Sequence, residues 1–190
     1  MKYFILFGPP GAGKGTQAGE MAARYNLKHI STGELLRSEI AAGTPLGVKA
    51  KALIDDGNLV PDEMVEAMIA DVFASHPHKE GFLLDGFPRT IAQAIDLDNM
   101  LAENDEQVTG VISLMIPDQL VHERIKHRAT IEGRADDASD ETITHRIQTY
   151  HAKTEPLINF YRPDGKYHEV DGTGTVEEVR DKVFEVMDKL

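Results

Sequence analysis

A short apolar run, Tyr3-Phe-Ile-Leu-Phe7, leads directly into Gly8-Pro-Pro-Gly-Ala-Gly-Lys-Gly-Thr16, and a helical pattern follows from Gln17. Strand, glycine-rich loop and helix start in that order constrain the fold more than any other segment. They describe a loop whose backbone N–H groups turn inward around an anion. Gly8, Gly11, Gly13 and Gly15 allow backbone angles and close approaches that a Cβ would block. The helix aims its unpaired N–H groups and positive dipole end at the same anion, and Lys14 adds a mobile charge able to reach terminal phosphates. The G-x4-G-K spacing from Gly8 to Lys14 is complete, but Gly15 follows the lysine and the hydroxyl is displaced to Thr16, whereas the general motif has Ser or Thr there. Taken alone, the segment is either a plain glycine-rich turn or a variant phosphate loop with its metal arranged differently.

The charge balance narrows the setting. With 32 acidic and 20 basic side chains and a net charge of −12, the chain is a poor match for nucleic acid or an anionic membrane. An acidic protein that binds a polyanion must gather its few cations locally. There is no cysteine, which excludes disulfides and a cysteine-ligated zinc. One lysine and six apolar residues precede the glycine loop, too few for a signal peptide or a membrane span, so a cytoplasmic location is expected. At 190 residues the chain reads as one domain with small inserted lobes, and no apolar stripe exceeds core needs, so a monomer is expected.

Strand and helix patterns alternate. Buried strands are expected at Phe4–Phe7, Gly81–Asp85, Val111–Ile116 and Tyr167–Val170, with a weaker one at Lys28–Ile30. Helices are expected at Gln17–Tyr25, Gly33–Ala42, Asp62–Ala74, Ile91–Leu101, Gln119–His127, Glu141–Phe160 and Val176–Leu190. This alternation implies an α/β fold with three layers, a central parallel sheet of five strands and helices on both faces, and ligands bind beyond the strand carboxyl ends. The glycine loop and Asp85 both fall on that edge.

Asp85 closes an apolar strand, as does the acidic partner that holds magnesium beside phosphate loops. Gly86 and Pro88 then force a turn that presents Arg89. Alone, Asp85 could equally be a turn acid. The nine arginines carry a similar ambiguity. Arg124 and Arg128 share a helix face, Arg134 lies in a short charged loop with Asp136 and Asp137, and Arg146 lies inside the next helix. Each is a surface charge taken singly, yet phosphoryl transfer needs several guanidiniums around donor and acceptor phosphates. His76 and His78 are close in sequence, but two ligands without a third make no metal site.

Together these blocks resemble the adenylate kinases of the nucleoside monophosphate kinase family, over nearly the whole chain. The resemblance rests on GPPGAGKGTQ at Gly8–Gln17, STGELLR at Ser31–Arg37, GNLVPDE at Gly57–Glu63 and DGFPRTIAQA at Asp85–Ala94. It continues through GRADD at Gly133–Asp137 and HRIQTYHAKTEPLINFY at His145–Tyr161. The Lys-Gly-Thr order is that family's own form. The resemblance implies a P-loop kinase domain over 1–190, with a monophosphate-binding lobe at 31–60 and a short lid at 128–138. Gly11, Ala12, Gly13, Lys14, Gly15 and Thr16 would hold ATP phosphates, Arg124 would stack on the ATP base, and Arg128 would reach the donor. Thr32, Leu36, Ile54, Val60, Gly86 and Gln93 would receive the base of AMP, while Arg37 and Arg89 grip its phosphate. Arg128, Arg134 and Arg146 would converge on the transferring phosphoryl, with Lys14 and Arg89 completing the catalytic set. Thr16 and Asp85 would organise Mg²⁺ through water, and Asp136 and Asp137 would position the lid.

The implied substrates are ATP, AMP and ADP. The attacking monophosphate is already largely ionised near neutral pH, so no general base is required. Water must be excluded instead, which calls for the 31–60 lobe and the 128–137 segment to close over the nucleotides. Only five residues separate Arg128 from Arg134, so the lid resembles the family's short form, without the zinc-bearing lobe of some long forms. A uridylate or cytidylate kinase on the same scaffold is the nearest alternative. Those relatives tend to carry Ala where Thr32 stands and Asn near Thr90 and Gln93. A P-loop hydrolase or switch, and a nonenzymatic protein that keeps the fold, are further alternatives from other classes. The first would leave Arg37 and Arg89 without an acceptor phosphate, and the second would leave Lys14, Asp85 and the arginines without a task.

Overall fold

The computed structural model describes residues 1–75, 80–133, 137 and 139–190. Five parallel strands form one sheet in the order β2-β3-β1-β4-β5: β1 Lys2–Phe7, β2 Leu27–Ser31, β3 Gly81–Asp85, β4 Gly110–Met115 and β5 Tyr167–Asp171. The expected fold class is therefore observed. The central strands are unbroken apolar runs because both faces are covered. From β1, Tyr3, Ile5 and Phe7 enter one core with Phe82, Leu84, Ala94, Leu97 and Leu157, while Phe4 and Leu6 enter the other with Leu83, Ile112, Met21, Val121 and Val183. The first core is covered by α2 Thr32–Ala42, α3 Pro45–Asp55, α4 Asp62–Ser75, α5 Ile91–Ala102 and α8 Leu157–Tyr161. The second is covered by α1 Lys14–Tyr25, α6 Asp118–Glu132, α7 Asp140–Thr149 and α9 Val176–Met187.

Register places the chemistry. Leu6 and Ser31 both pair with Asp85, so the loops after β1, β2 and β3 leave the sheet side by side. The chain departs β1 towards β2 and departs β3 towards β4, in opposite directions, which opens a crevice between their carboxyl ends. Gly8 makes the tight exit possible. Its φ of 137° disfavours L side chains, and a Cβ there would lie 2.6 Å from the Leu114 carbonyl of β4.

Three elements differ from expectation. Helix α3 lies where none was expected; Thr44 caps it by accepting from the Gly47 N–H at 3.0 Å, and Pro45 occupies its first turn. Helix α6 runs on to Glu132 and stops at Gly133, whose φ is 61°. The single helix expected over 141–160 is instead α7, a wide π turn at Tyr150–Thr154, and α8 after Pro156. Proline has no N–H to continue the ladder, so the break follows from its chemistry. His76 and His78, Arg134 and Asp136 lie outside the described residues.

Candidate active site

Helix α1 begins at Lys14 on Gly13, which caps it without any side-chain hydrogen bond, so the orphan N–H groups of its first turn face the cleft. Ala12 turns its methyl into the core and gives its N–H to the Pro9 carbonyl at 3.2 Å. Lys14 folds back over the loop, its Nζ donating to the Gly8 and Pro9 carbonyls at 2.9 and 3.0 Å. Burial lowers its pKa to about 8; Asp85 opposes that shift, and the charges of Arg89, Arg146 and Arg128 add to it. Three guanidiniums from separate elements thus line the same cleft as this ammonium. Burial disfavours the ionised form of Asp85, but the His29 ring 3.7 Å away, Lys14 and Arg89 outweigh it and hold the carboxyl below its ordinary value. The Thr16 hydroxyl, on the first turn of α1, is exposed.

The other half of the cleft is built by α2, α3 and the turn after β3. Thr32 Oγ1 donates to the Gly86 carbonyl at 3.0 Å, and Arg89 Nε donates to the same oxygen at 2.8 Å. Gly86, with φ 83°, leaves no room for a side chain: a Cβ would sit 2.6 Å from Thr32 Oγ1 and 2.9 Å from Arg89 Nη2. Leu36, Ile54, Val60 and Val65 form an apolar wall beside the buried Gln93 amide, and Arg37 lines the same cleft. Glycine loop, apolar wall and arginines line one continuous cleft of about 550 Å³.

Asp137 joins α6 and α7. Its side chain is wholly buried and accepts from Arg128 Nε and Nη2 at 2.7 and 2.8 Å, and also from Arg146 Nη1. Arg124 Nη2 donates to the Gly172 carbonyl at 3.0 Å, and its Nη1 reaches the Ala12 carbonyl. Of the residues expected at the site, Arg37, Arg89, Arg124, Arg128 and Arg146 all line the cleft with Lys14.

Sequence reasoning missed several supports. Thr154, in the π turn, donates to the Arg89 carbonyl at 2.8 Å; Asp62 contacts Gln93 and Thr90; and Asn58 Oδ1 meets His145 Nε2 of α7 at 2.8 Å. These contacts join residues far apart in sequence, so no local pattern announces them. Among the described residues no three His, Cys, Asp or Glu side chains group as metal ligands. A hard cation here would draw mainly on phosphate and water oxygens, with ionised Asp85 and the Thr16 hydroxyl beside them, which is how magnesium prefers to bind.

A family model described as adenylate kinase matches residues 6–166. The chain is similar to an adenylate kinase of Flavobacterium psychrophilum, 44% identical over 186 residues that cover 98% of each sequence. An adenylate kinase of Bacteroides thetaiotaomicron is 44% identical over the full length of both, and one of Micrococcus luteus is 45% identical over 98% of this chain and 91% of its own. With that match over most of the chain and relatives this similar over nearly its full length, the chain belongs to the adenylate kinase family.

Proposed function

We propose that this chain catalyses reversible, Mg²⁺-dependent transfer of the terminal phosphoryl of ATP to AMP, yielding two ADP, as a cytoplasmic monomer. The observation that carries this reading is the lining of the cleft, which has two chemically distinct halves. The glycine loop with Lys14 shares one cleft with the apolar side chains of Leu36, Ile54 and Val60 and with Arg37 and Arg89. A hydrolase needs only the first half. Thr32 and Gln93 in the second half favour a purine monophosphate over a pyrimidine.

ATP phosphates would lie on the N–H groups of Gly11–Thr16, with Arg124 over the donor base. AMP would enter between Leu36, Ile54 and Val60, its phosphate on Arg37 and Arg89. An AMP oxygen attacks the terminal phosphorus in line as the bond to the ADP leaving oxygen breaks; no proton need move. Lys14, Arg128, Arg134 and Arg146 would spread the charge on the transferring group, in a cavity where fixed donors act more strongly than water does. Asp85 and Thr16 would hold Mg²⁺ through water, and the ion would supply further charge neutralisation. The 31–60 lobe and the 128–138 lid would close to exclude water. No helix among the described residues is long and apolar enough to cross a membrane.

The test is product analysis by ³¹P NMR with ATP, Mg²⁺ and AMP, CMP, UMP or GMP as acceptor, beside a Lys14→Ala variant. Two ADP for each ATP and AMP, abolished in the variant, is the expected result. Preference for CMP or UMP would overturn the base assignment, and ATP hydrolysis without acceptor phosphorylation would overturn the transfer itself.

A further inference from the structure

Asp62 opens α4, which packs beside α5, and it reaches the buried amide of Gln93. Its Oδ1 accepts from Gln93 Nε2 at 2.7 Å, and its Oδ2 accepts from Thr90 Oγ1 at 3.3 Å. At the other end of the amide, Gln93 Oε1 accepts the backbone N–H of Arg89 at 2.7 Å. A backbone N–H can only donate and a carboxylate can only accept, so this pair of partners fixes which end of the amide is oxygen and which is nitrogen. Thr90 holds the carboxylate in turn, while its own Oγ1 accepts the Gln93 N–H at 3.2 Å as the cap of α5.

Each end of the Gln93 amide is used once, leaving one N–H and one oxygen lone pair for a ligand. Gln93 is only 2% exposed and lines the cleft, so a base in the pocket meets these two groups in a fixed order. Order matters because two purines of nearly the same shape present opposite edges. A 6-amino purine offers an N–H donor at position 6 beside an acceptor at N1, whereas a 6-oxo purine offers an acceptor beside a donor. A glutamine free to turn over about its last torsion reads both edges; a held one reads one.

We propose that Asp62 is a positioning residue that sets base selectivity by clamping the Gln93 amide in one orientation, favouring a 6-amino purine monophosphate over its 6-oxo counterpart. The inference rests on the reading of this pocket as the acceptor-base site. Asp62 touches no substrate; it acts through Gln93.

The experiment compares AMP with IMP as acceptors for the full chain and for Asp62→Ala, Asp62→Asn and Gln93→Leu. Steady-state kinetics is read beside calorimetric dissociation constants, so that an unreacted IMP still registers, and a thermal melt is recorded for each protein. Asp62→Ala is expected to lower the AMP:IMP ratio of kcat/KM roughly tenfold, about one hydrogen bond of discrimination, mainly through KM for AMP. Asp62→Asn keeps a carbonyl for Gln93 Nε2 and an amide donor for Thr90 Oγ1, so it should hold the ratio within about threefold of the wild type. Should Asp62→Ala melt too low to assay, Asp62→Ser, which starts the helix but falls short of Gln93, carries the same expectation. An equal loss for both acceptors, with the ratio intact, would overturn the proposal and make Asp62 a structural prop. If Gln93→Leu collapses the ratio and Asp62→Ala does not, the clamp alone is wrong. If Gln93→Leu leaves AMP binding and the ratio untouched, the base-site reading falls as well.

Discussion

Replacing Asp137 by Asn removes one charge and almost no volume, which makes it a sharp probe of how the arginine cluster is held. The carboxylate is fully buried, and the two guanidiniums it binds are 24% and 17% exposed. Asparagine can still accept through one oxygen, but its NH₂ must face an Arg128 N–H or the Arg146 Nη1, donor against donor. Removing one partner of a buried ion pair costs about 3–5 kcal/mol. Partial exposure of both arginines screens part of that, so about 2–4 kcal/mol is expected. For a chain of this size the loss converts to a Tm lower by roughly 4–16 °C. The chain has no tryptophan, so far-UV circular dichroism is the natural readout. Because Asp137 also fixes where Arg128 and Arg146 lie in the cleft, kcat should fall by about tenfold or more while KM for AMP moves little. Combined with Arg128→Gln, the stability losses should be less than additive. A variant within about 0.5 kcal/mol of the wild type, the scatter of an ordinary surface substitution, with unchanged kcat would refute the account.

Two further outcomes follow from single sites. Gly86→Ala adds a Cβ against Thr32 Oγ1 and Arg89 Nη2 at a φ of 83°, so it should cost about 1–2 kcal/mol in strain and raise KM for AMP; an unaltered KM in steady-state assays would count against Gly86 as a pocket wall. His151 bridges Asp118 and Glu155, and the hydrogen bond to Glu155, opposed by partial burial and helped by Asp118, raises its pKa above the ordinary 6.5. The added stability is therefore complete below that ordinary value and disappears as pH rises through the raised one. Thermal melts of wild type and His151→Gln should diverge at acid pH and draw together in alkaline buffer; a gap independent of pH would contradict the bridge.

What the sequence made legible was whatever a short segment encodes. The run Tyr3–Phe7 into Gly8–Thr16, and the strand ending in Asp85, carry their own geometry, and pairing of Leu6 with Asp85 brings them to one edge. Helix α3 was harder to see because Gly47 and Ala50, its buried residues, are too small to mark an apolar face, although Thr44-Pro45 is a helix-start signal. The π turn at Tyr150–Thr154 has no comparable local signature, yet it delivers Thr154 to the Arg89 carbonyl. Arg128 and Arg146 could be named from the chain as cations, but nothing in the chain says that one buried carboxylate holds both. Such partners are chosen by how α6 and α7 pack around Asp137, which spacing alone does not give.

The charge distribution ties these parts together. A chain of net charge −12 places Lys14, Arg37, Arg89, Arg124, Arg128 and Arg146 around one cleft, against the sign of its surface. Crowding cations in a partly desolvated space is unfavourable, and the lowered pKa of Lys14 registers it: burial contributes most, with Arg89, Arg146 and Arg128 acting in the same direction. Asp85, at the end of β3, and Asp137, between α6 and α7, offset part of this repulsion, and Glu34 and Glu132 also line the cleft. Among the described residues, the six cations outnumber these four carboxylates, and a bound polyanion would neutralise the excess. Phosphate binding would therefore stabilise the cleft as well as fill it, and in a chain of net charge −12 this concavity would be where a nucleotide polyphosphate finds the opposite sign.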